Sequence, residues 1–274
     1  MSFRIAACQM NSQADRAANL ATAGRLIDEA VDQSADFVAL PEYFNLYGTM
    51  DQVLENAEPL HGPTAEFLRR KAREHKIYLH GGSFAQKEDG NDKCSFTNLV
   101  FDPQGEIIAH YRKIHLFDID IAERASGNES DIANPGKEMV TFETELGQFG
   151  LTICYDLRFP ELFRSLTLAG ARVVFLPAAF TLYTGKDHWE TLIRARAIEN
   201  QVFMVAPAQI GTYAPGKQCF GSTMIVDPWG TVLARAPETE SVVVADINFE
   251  RQDKIRNDLP NLKNRQPEVY AGSG

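Results

Sequence analysis

The chain has 274 residues, 44% of them hydrophobic and spread along its length, enough for one large domain with a sizeable core. Its formal net charge is −10 and no basic stripe is visible, which argues against nucleic acid as a partner. The opening MSFRIAACQM lacks the pattern of a signal peptide, and no apolar run reaches the ~18 residues that span a bilayer, so a cytoplasmic protein without a membrane partner is expected.

Strands and helices alternate along the chain. Residues 3–9 read as a strand, and Leu20, Ile27, Ala30 and Val31 give residues 15–32 a helical period. DFVALP (36–41) reads as a buried strand, and Pro63 opens a helix that runs to His75. IYLHGGSF and FTNLVFD are further strands. Asp102-Pro103-Gln104-Gly105 turns the chain into EIIAHYR, making a hairpin. Residues 114–138 read as a long loop, a type of segment that is often functional. LTIC ends a strand, Pro160 starts a helix, ARVVFLP is a strand, 187–200 a helix and QVFMVAPA a strand. A second hairpin turns at Asp227-Pro228-Trp229-Gly230, and residues 257–274 read as a polar arm.

The order repeats itself. KIYLHGGSF matches QVFMVAPAQ, and NLVFDPQGEIIAH matches TMIVDPWGTVLAR. The first pair starts at residues 76 and 201 and the second at 98 and 223, both 125 apart. Two similar halves predict two sheets packed face to face with helices outside, an α/β fold of four α-β-β-α layers with a pseudo-two-fold repeat. No linker separates the halves, so residues 1–274 form a single expected domain.

Three residues stand where chemistry could sit. Cys154 ends an apolar strand before a sharp turn, where a thiol is exposed to backbone N–H groups and gains thiolate character. Glu42 follows a strand directly, at the end where α/β sheets place their sites, and could act as a general base. Lys113 follows another strand and could stabilise an oxyanion. Cys8, Cys94 and Cys219 read as buried small hydrophobes, because the spacing of the four cysteines suits neither zinc nor a disulfide framework. None of the six histidines can be singled out as a partner for a cysteine, and no HExxH cluster suggests a metal. Asp156, Arg158, Arg194, Arg196 and Glu199 read as internal ion pairs.

At these residues the sequence resembles the nitrilase superfamily of carbon–nitrogen hydrolases. LPEYF holds the glutamate of that family as Glu42, YRKIHLFDIDI its lysine as Lys113, and GLTICYDLRFPELFRSLTLAGA its cysteine as Cys154. The resemblance covers nearly the whole chain. It also implies a second glutamate between lysine and cysteine, matched by Glu129, with Glu123 as the competitor. KIHLFDIDI and FTLYTGKDHWE resemble the branch of deaminated glutathione and ω-amide amidases. That branch often has a histidine where Phe220-Gly221-Ser222-Thr223-Met224 has Ser222.

The resemblance implies cysteine-dependent hydrolysis of a small-molecule amide through a thioester, with release of ammonia. Glu42 is then the base and acid, and Lys113 with the Tyr155 N–H holds the oxyanion. Glu129 orients the substrate or Lys113. Tyr43, Phe180 and Thr181 contact a short ω-amide that carries a carboxylate, with Tyr43 as an apolar wall. No metal or organic cofactor is implied. An N-carbamoyl amino-acid or N-carbamoyl amine hydrolase is the alternative enzyme, and a binding protein that kept the fold is the alternative from another class. The resemblance further implies a homodimer or larger homo-oligomer, for which the helix at Leu162, Phe163 and Leu166 offers an apolar surface.

Overall fold

The computed structural model describes residues 2–88, 90–121 and 125–270. Two sheets dominate it. The first runs Ser241–Asn248, Ser2–Gln9, Phe37–Ala39, Tyr78–His80 and Cys94–Phe101, with Phe84–Lys87 and Ile107–Arg112 also paired to Cys94–Phe101. The second runs Val140–Thr144, Gly147–Leu151, Val173–Phe175, Phe203–Ala206, Met224–Val226 and Val232–Arg235. In each sheet three parallel strands sit between antiparallel neighbours.

The internal repeat holds to the residue. His80 pairs with Val100 and Val205 with Ile225, each partner 125 positions on. Both hairpin turns are built alike. The Asp102 carboxylate accepts the N–H groups of Gln104 and Glu106 at 2.9 and 2.8 Å, and Asp227 accepts those of Trp229 and Thr231 at the same distances. Gly105 and Gly230 close the turns at φ 80° and 84°, a region that glycine enters without steric cost. The edges differ. The second sheet takes its edge strand from Val140–Thr144, just ahead of Gly147–Leu151, whereas the first borrows Ser241–Asn248 from the far end of the chain.

Strand alternation decides what each face meets. Phe3, Ile5, Ala7 and Phe37 point to the second sheet and pack against Phe149, Leu151, Val173 and Phe175, with the Phe37 and Phe175 ring centroids 4.8 Å apart. Ala6, Cys8, Val38 and Leu79 point the other way, onto the helices Arg16–Asp32 and Pro63–His75. Pro160–Leu168 and Leu182–Asn200 cover the second sheet. The expected four layers are therefore present. No helix among the described residues is long and apolar enough to cross a membrane.

Several expectations need correcting. The loop expected at 114–138 contains a two-stranded ribbon, Asp118–Ile121 with Ala125–Asn128. The helix expected at 187 starts at Leu182, five residues earlier, and passes so close to Phe220 that a Cβ on Gly185 would collide with that side chain. Leu162, Phe163 and Leu166 are buried in the core of their own chain, because the helix turns that stripe inward, so they offer no surface to a second copy. Of the expected arm, residues 257–258 end the helix Phe249–Asp258, and a short helical turn spans Pro267–Tyr270.

Candidate active site

Glu42, Lys113 and Glu129 meet in one buried cluster. Glu42 lies three residues beyond the strand Phe37–Ala39, and Lys113 follows Ile107–Arg112 directly. The Lys113 Nζ donates to Glu42 Oε1 at 2.9 Å and to a Glu129 carboxylate oxygen at 2.8 Å. All three side chains are buried. Glu129 opens a short helical turn behind the ribbon, which fixes its carboxylate over the lysine. It also accepts the Phe117 N–H at 2.7 Å and the Tyr43 hydroxyl at 2.8 Å. Tyr43 therefore holds Glu129 through its hydroxyl, and is more than the apolar wall expected. Glu123 lies outside the described residues.

Cys154 sits on a strained elbow. Its φ is 47°, uncommon for a residue with a side chain, and a backbone bond holds it there. The Cys154 N–H donates to the Pro177 carbonyl at 2.9 Å, and two residues on the Ala179 N–H donates to Glu42 Oε2 at 2.7 Å. One short stretch after Val173–Phe175 thus positions both the thiol backbone and the carboxylate. The helical turn Cys154–Arg158 starts at the thiol. The first N–H groups of such a turn have no acceptor within it, so the Tyr155 N–H is available to an anion.

Electrostatics correct one expectation. Burial, then the neighbouring Glu42 carboxylate, pushes the Cys154 thiol well above its ordinary pKa, despite Lys113. The resting group is a thiol, and a base is needed to make it nucleophilic. Burial also raises Glu42, against the pull of Lys113. Lys113 loses to burial but gains more from Glu129 and Glu42, so its net shift is upward and it stays charged. Burial holds the other three cysteines up as well, Cys94 to about 12, and all four are free.

A pocket of about 280 Å³ opens above this cluster. It is lined by Glu42, Glu129, Cys154, Tyr43, Tyr155, Phe180 and Thr181, so every expected site residue except the deeper Lys113 faces it. Tyr47, Asn128, Asp131, Tyr213 and Lys217 also line it and were not foreseen. Tyr43, Tyr47 and Tyr213 stack in series, with centroids 4.7 and 3.8 Å apart. A signal for Tyr213 and Lys217 was present, since Pro215-Gly216 marks a turn between two short strands, Ile210–Ala214 and Lys217–Phe220.

The expected ion pairs divide. Arg196 pairs with Glu199 at 2.9 Å, whereas Arg194 pairs with Glu190 at 3.6 Å. Asp156 pairs with no arginine among the described residues: it accepts the Tyr111 hydroxyl at 2.7 Å and the Ile153 N–H at 2.8 Å, and meets His115. Arg158 lies 3.3 Å from His188 Nδ1 and over the Phe180 ring.

A thiol, a carboxylate with a raised proton affinity, an ammonium and a backbone N–H around one cavity are the parts of acyl transfer. Residues 4–257 match the carbon–nitrogen hydrolase family. The chain belongs to that family. Among relatives of this carbon–nitrogen hydrolase, a deaminated glutathione amidase of Synechocystis sp. (strain PCC 6803 / GT-S) is 41% identical over 266 residues, which cover 96% of this chain and 98% of that protein. Omega-amidase NIT2 of Mus musculus is 38% identical, covering 98% of this chain and 97% of that protein. Saccharomyces cerevisiae Nit3, a member of branch 10 of the nitrilase superfamily, superposes with a TM-score of 0.87 at 32% identity over 97% of each chain. The NitFhit protein of C. elegans gives a TM-score of 0.91 at 37% identity, covering 98% of this chain and 66% of that one.

Proposed function

We propose that this carbon–nitrogen hydrolase cleaves short ω-amides that carry a carboxylate, with Cys154 as nucleophile, Glu42 as general base and acid, and Lys113 as oxyanion donor. The observation that carries the reading is the Lys113 ammonium held between Glu42 and Glu129 beneath the pocket that Cys154 faces. Glu42 takes the thiol proton, and the sulfur attacks the amide carbonyl. An ammonium has three N–H groups, two of them on carboxylates, which leaves one for the oxyanion beside the Tyr155 N–H. Glu42 returns its proton to the departing nitrogen, ammonia leaves from a primary amide, and a thioester remains. Water, deprotonated by the same carboxylate, releases the acid. Glu129 acts through Lys113, and Tyr43 acts through Glu129. Phe180 and Thr181 contact the substrate. The named relatives, a deaminated glutathione amidase and an omega-amidase, support the ω-amide class over an N-carbamoyl substrate.

We read residues 1–274 as one domain working in the cytoplasm, which the family match over 4–257 and four free, buried cysteines support. We also read it as a homodimer or larger. Leu168 and Ile198, 53% and 43% exposed on the outer helices, support that, and light scattering at micromolar concentration should give at least twice the monomer mass. The functional test is ammonia release from glutaramate and 2-oxoglutaramate against N-carbamoyl-β-alanine, with the Cys154→Ala protein as control. Faster turnover of the carbamoyl compound would overturn the substrate class, and an active Cys154→Ala protein would overturn the mechanism.

A further inference from the structure

Gln209 is a buried amide with no task in the chemistry of the acyl step. It lies three residues beyond the strand Phe203–Ala206, as Ser12 does beyond Ser2–Gln9 and Glu42 beyond Phe37–Ala39. Its polar atoms are all committed. The Gln209 Oε1 accepts the Ser12 N–H at 2.9 Å, and its Nε2 donates to Ser12 Oγ and to the Glu42 backbone carbonyl, both at 2.8 Å. Its own N–H donates to the Ala178 carbonyl at 2.8 Å, and its carbonyl accepts the Gly221 N–H at 3.1 Å. Because Oε1 faces a backbone N–H, the amide fits only one way round.

Three successive residues connect this amide to the site. The Pro177 carbonyl holds the Cys154 N–H at 2.9 Å, the Ala178 carbonyl holds the Gln209 N–H, and the Ala179 N–H holds Glu42 Oε2 at 2.7 Å. The Gln209 side chain then returns to the Glu42 carbonyl and closes a ring of hydrogen bonds. The base is thus gripped at its carboxylate and at its backbone by the segment that also fixes the nucleophile. Packing alone does not call for an amide there. The internal repeat matches Gln209 with Phe84, which is buried among apolar side chains. A buried amide is costly unless its groups are bonded, and here one of those bonds ends on the catalytic glutamate.

Resting on the amidase mechanism above, we infer that Gln209 is a positioning residue that holds the Glu42 carboxylate at the Cys154 thiol for proton transfer. It does not line the pocket and acts through the Glu42 backbone. Without its N–H donor the peptide after Glu42 is free to turn, and the carboxylate drifts from the Ala179 N–H and from Lys113. Both of these favour the charged form, so a displaced Glu42 binds its proton more tightly. The Cys154 thiol supports that charge as well, and Glu129 opposes it.

The test reads thiol activation directly, as the rate at which iodoacetamide alkylates Cys154, followed by mass spectrometry of the peptide that contains it. The thiol proton goes to Glu42, the C–S bond forms and iodide leaves. Gln209→Met keeps the length of the side chain and loses the donor. Its alkylation rate near neutral pH and its kcat on glutaramate should both fall about 10–100-fold, between the loss of one hydrogen bond and a misplacement of ~1 Å. KM should stay within about twofold, since no substrate contact is lost. The acid limb of the alkylation rate should move to higher pH. Gln209→Asn, still an amide but one methylene short, should show the same pattern and serves if the methionine variant does not fold. Ser12→Ala removes the other partner of Nε2 and leaves the Glu42 bond, so it should lose less. An unchanged limb with full kcat per folded molecule, whatever the change in Tm, would overturn the assignment. A raised KM with kcat intact, or an equal loss in Ser12→Ala, would overturn it too. Glu42→Gln separates the two claims. If Cys154 in that variant is alkylated at the wild-type rate, the mechanism falls and the positioning role with it. If that variant is slow and Gln209→Met is not, the positioning role alone is removed.

Discussion

Asp156 and His115 join the two halves of the active site: the Asp156 carboxylate accepts the His115 backbone N–H at 3.1 Å and lies 2.7 Å from its Nδ1. Asp156 is two residues past the nucleophile and also holds the Ile153 N–H ahead of it. His115 is two residues past Lys113. A single buried carboxylate thus fixes the spacing of thiol and ammonium. In Asp156→Asn an amide NH2 must face a set of donors. We expect a loss of about 2–4 kcal/mol, the scale for breaking a buried, hydrogen-bonded charge. Thermal denaturation together with kcat should show both falling, and an unchanged Tm would contradict this role.

Glu129 and Tyr43 should separate by degree. Glu129→Gln removes one of the two anions on Lys113 and should lower kcat about 10²–10³-fold, the scale for disturbing an oxyanion donor. Tyr43→Phe removes one hydrogen bond from Glu129 and should cost about tenfold. Steady-state kinetics on glutaramate checks both. A Tyr43→Phe enzyme impaired as strongly as Glu129→Gln would mean that Tyr43 has a direct role.

The pH profile follows from burial. Glu42 must be a carboxylate to take the thiol proton, and its raised pKa keeps it protonated to a higher pH than an ordinary glutamate. As pH falls, kcat/KM should therefore be lost through a value above the usual glutamate range. Lys113, shifted upward, stays charged throughout. An acid limb at or below the usual range would contradict the assignment of Glu42 as base.

Much of this was legible because it is local. The D-P-x-G turns, the apolar strands and the order of Glu42, Lys113 and Cys154 are all written in short stretches. The edge strand Ser241–Asn248 was not, since its partner Ser2–Gln9 lies at the other end of the chain and no local signal names that pairing. The same holds for the site. Glu42 and Cys154 could be singled out by strand ends, but the Ala179 N–H on Glu42 and the tyrosine stack arise from residues far apart in sequence. The elbow at Cys154 suggested a thiolate, and only the burial around it reverses that.

Gly82 should tolerate no side chain. Its φ is 55°, and a Cβ there would collide with the Pro41 carbonyl, the residue before Glu42. Gly82→Ala should therefore displace the base as well as destabilise the fold by about 1–3 kcal/mol. Urea denaturation and kcat should fall together, and loss of stability with full activity per folded molecule would show that Glu42 is held independently of this turn.

The covalent step decides the rest. Turnover of glutaramate should be quenched in acid within the first cycles and the protein digested, so that mass spectrometry weighs the peptide that contains Cys154. That peptide should carry the mass of one glutaryl group, removable by hydroxylamine as a thioester is. Steady hydrolysis with Cys154 unmodified, or with the acyl group on another residue, would contradict the mechanism.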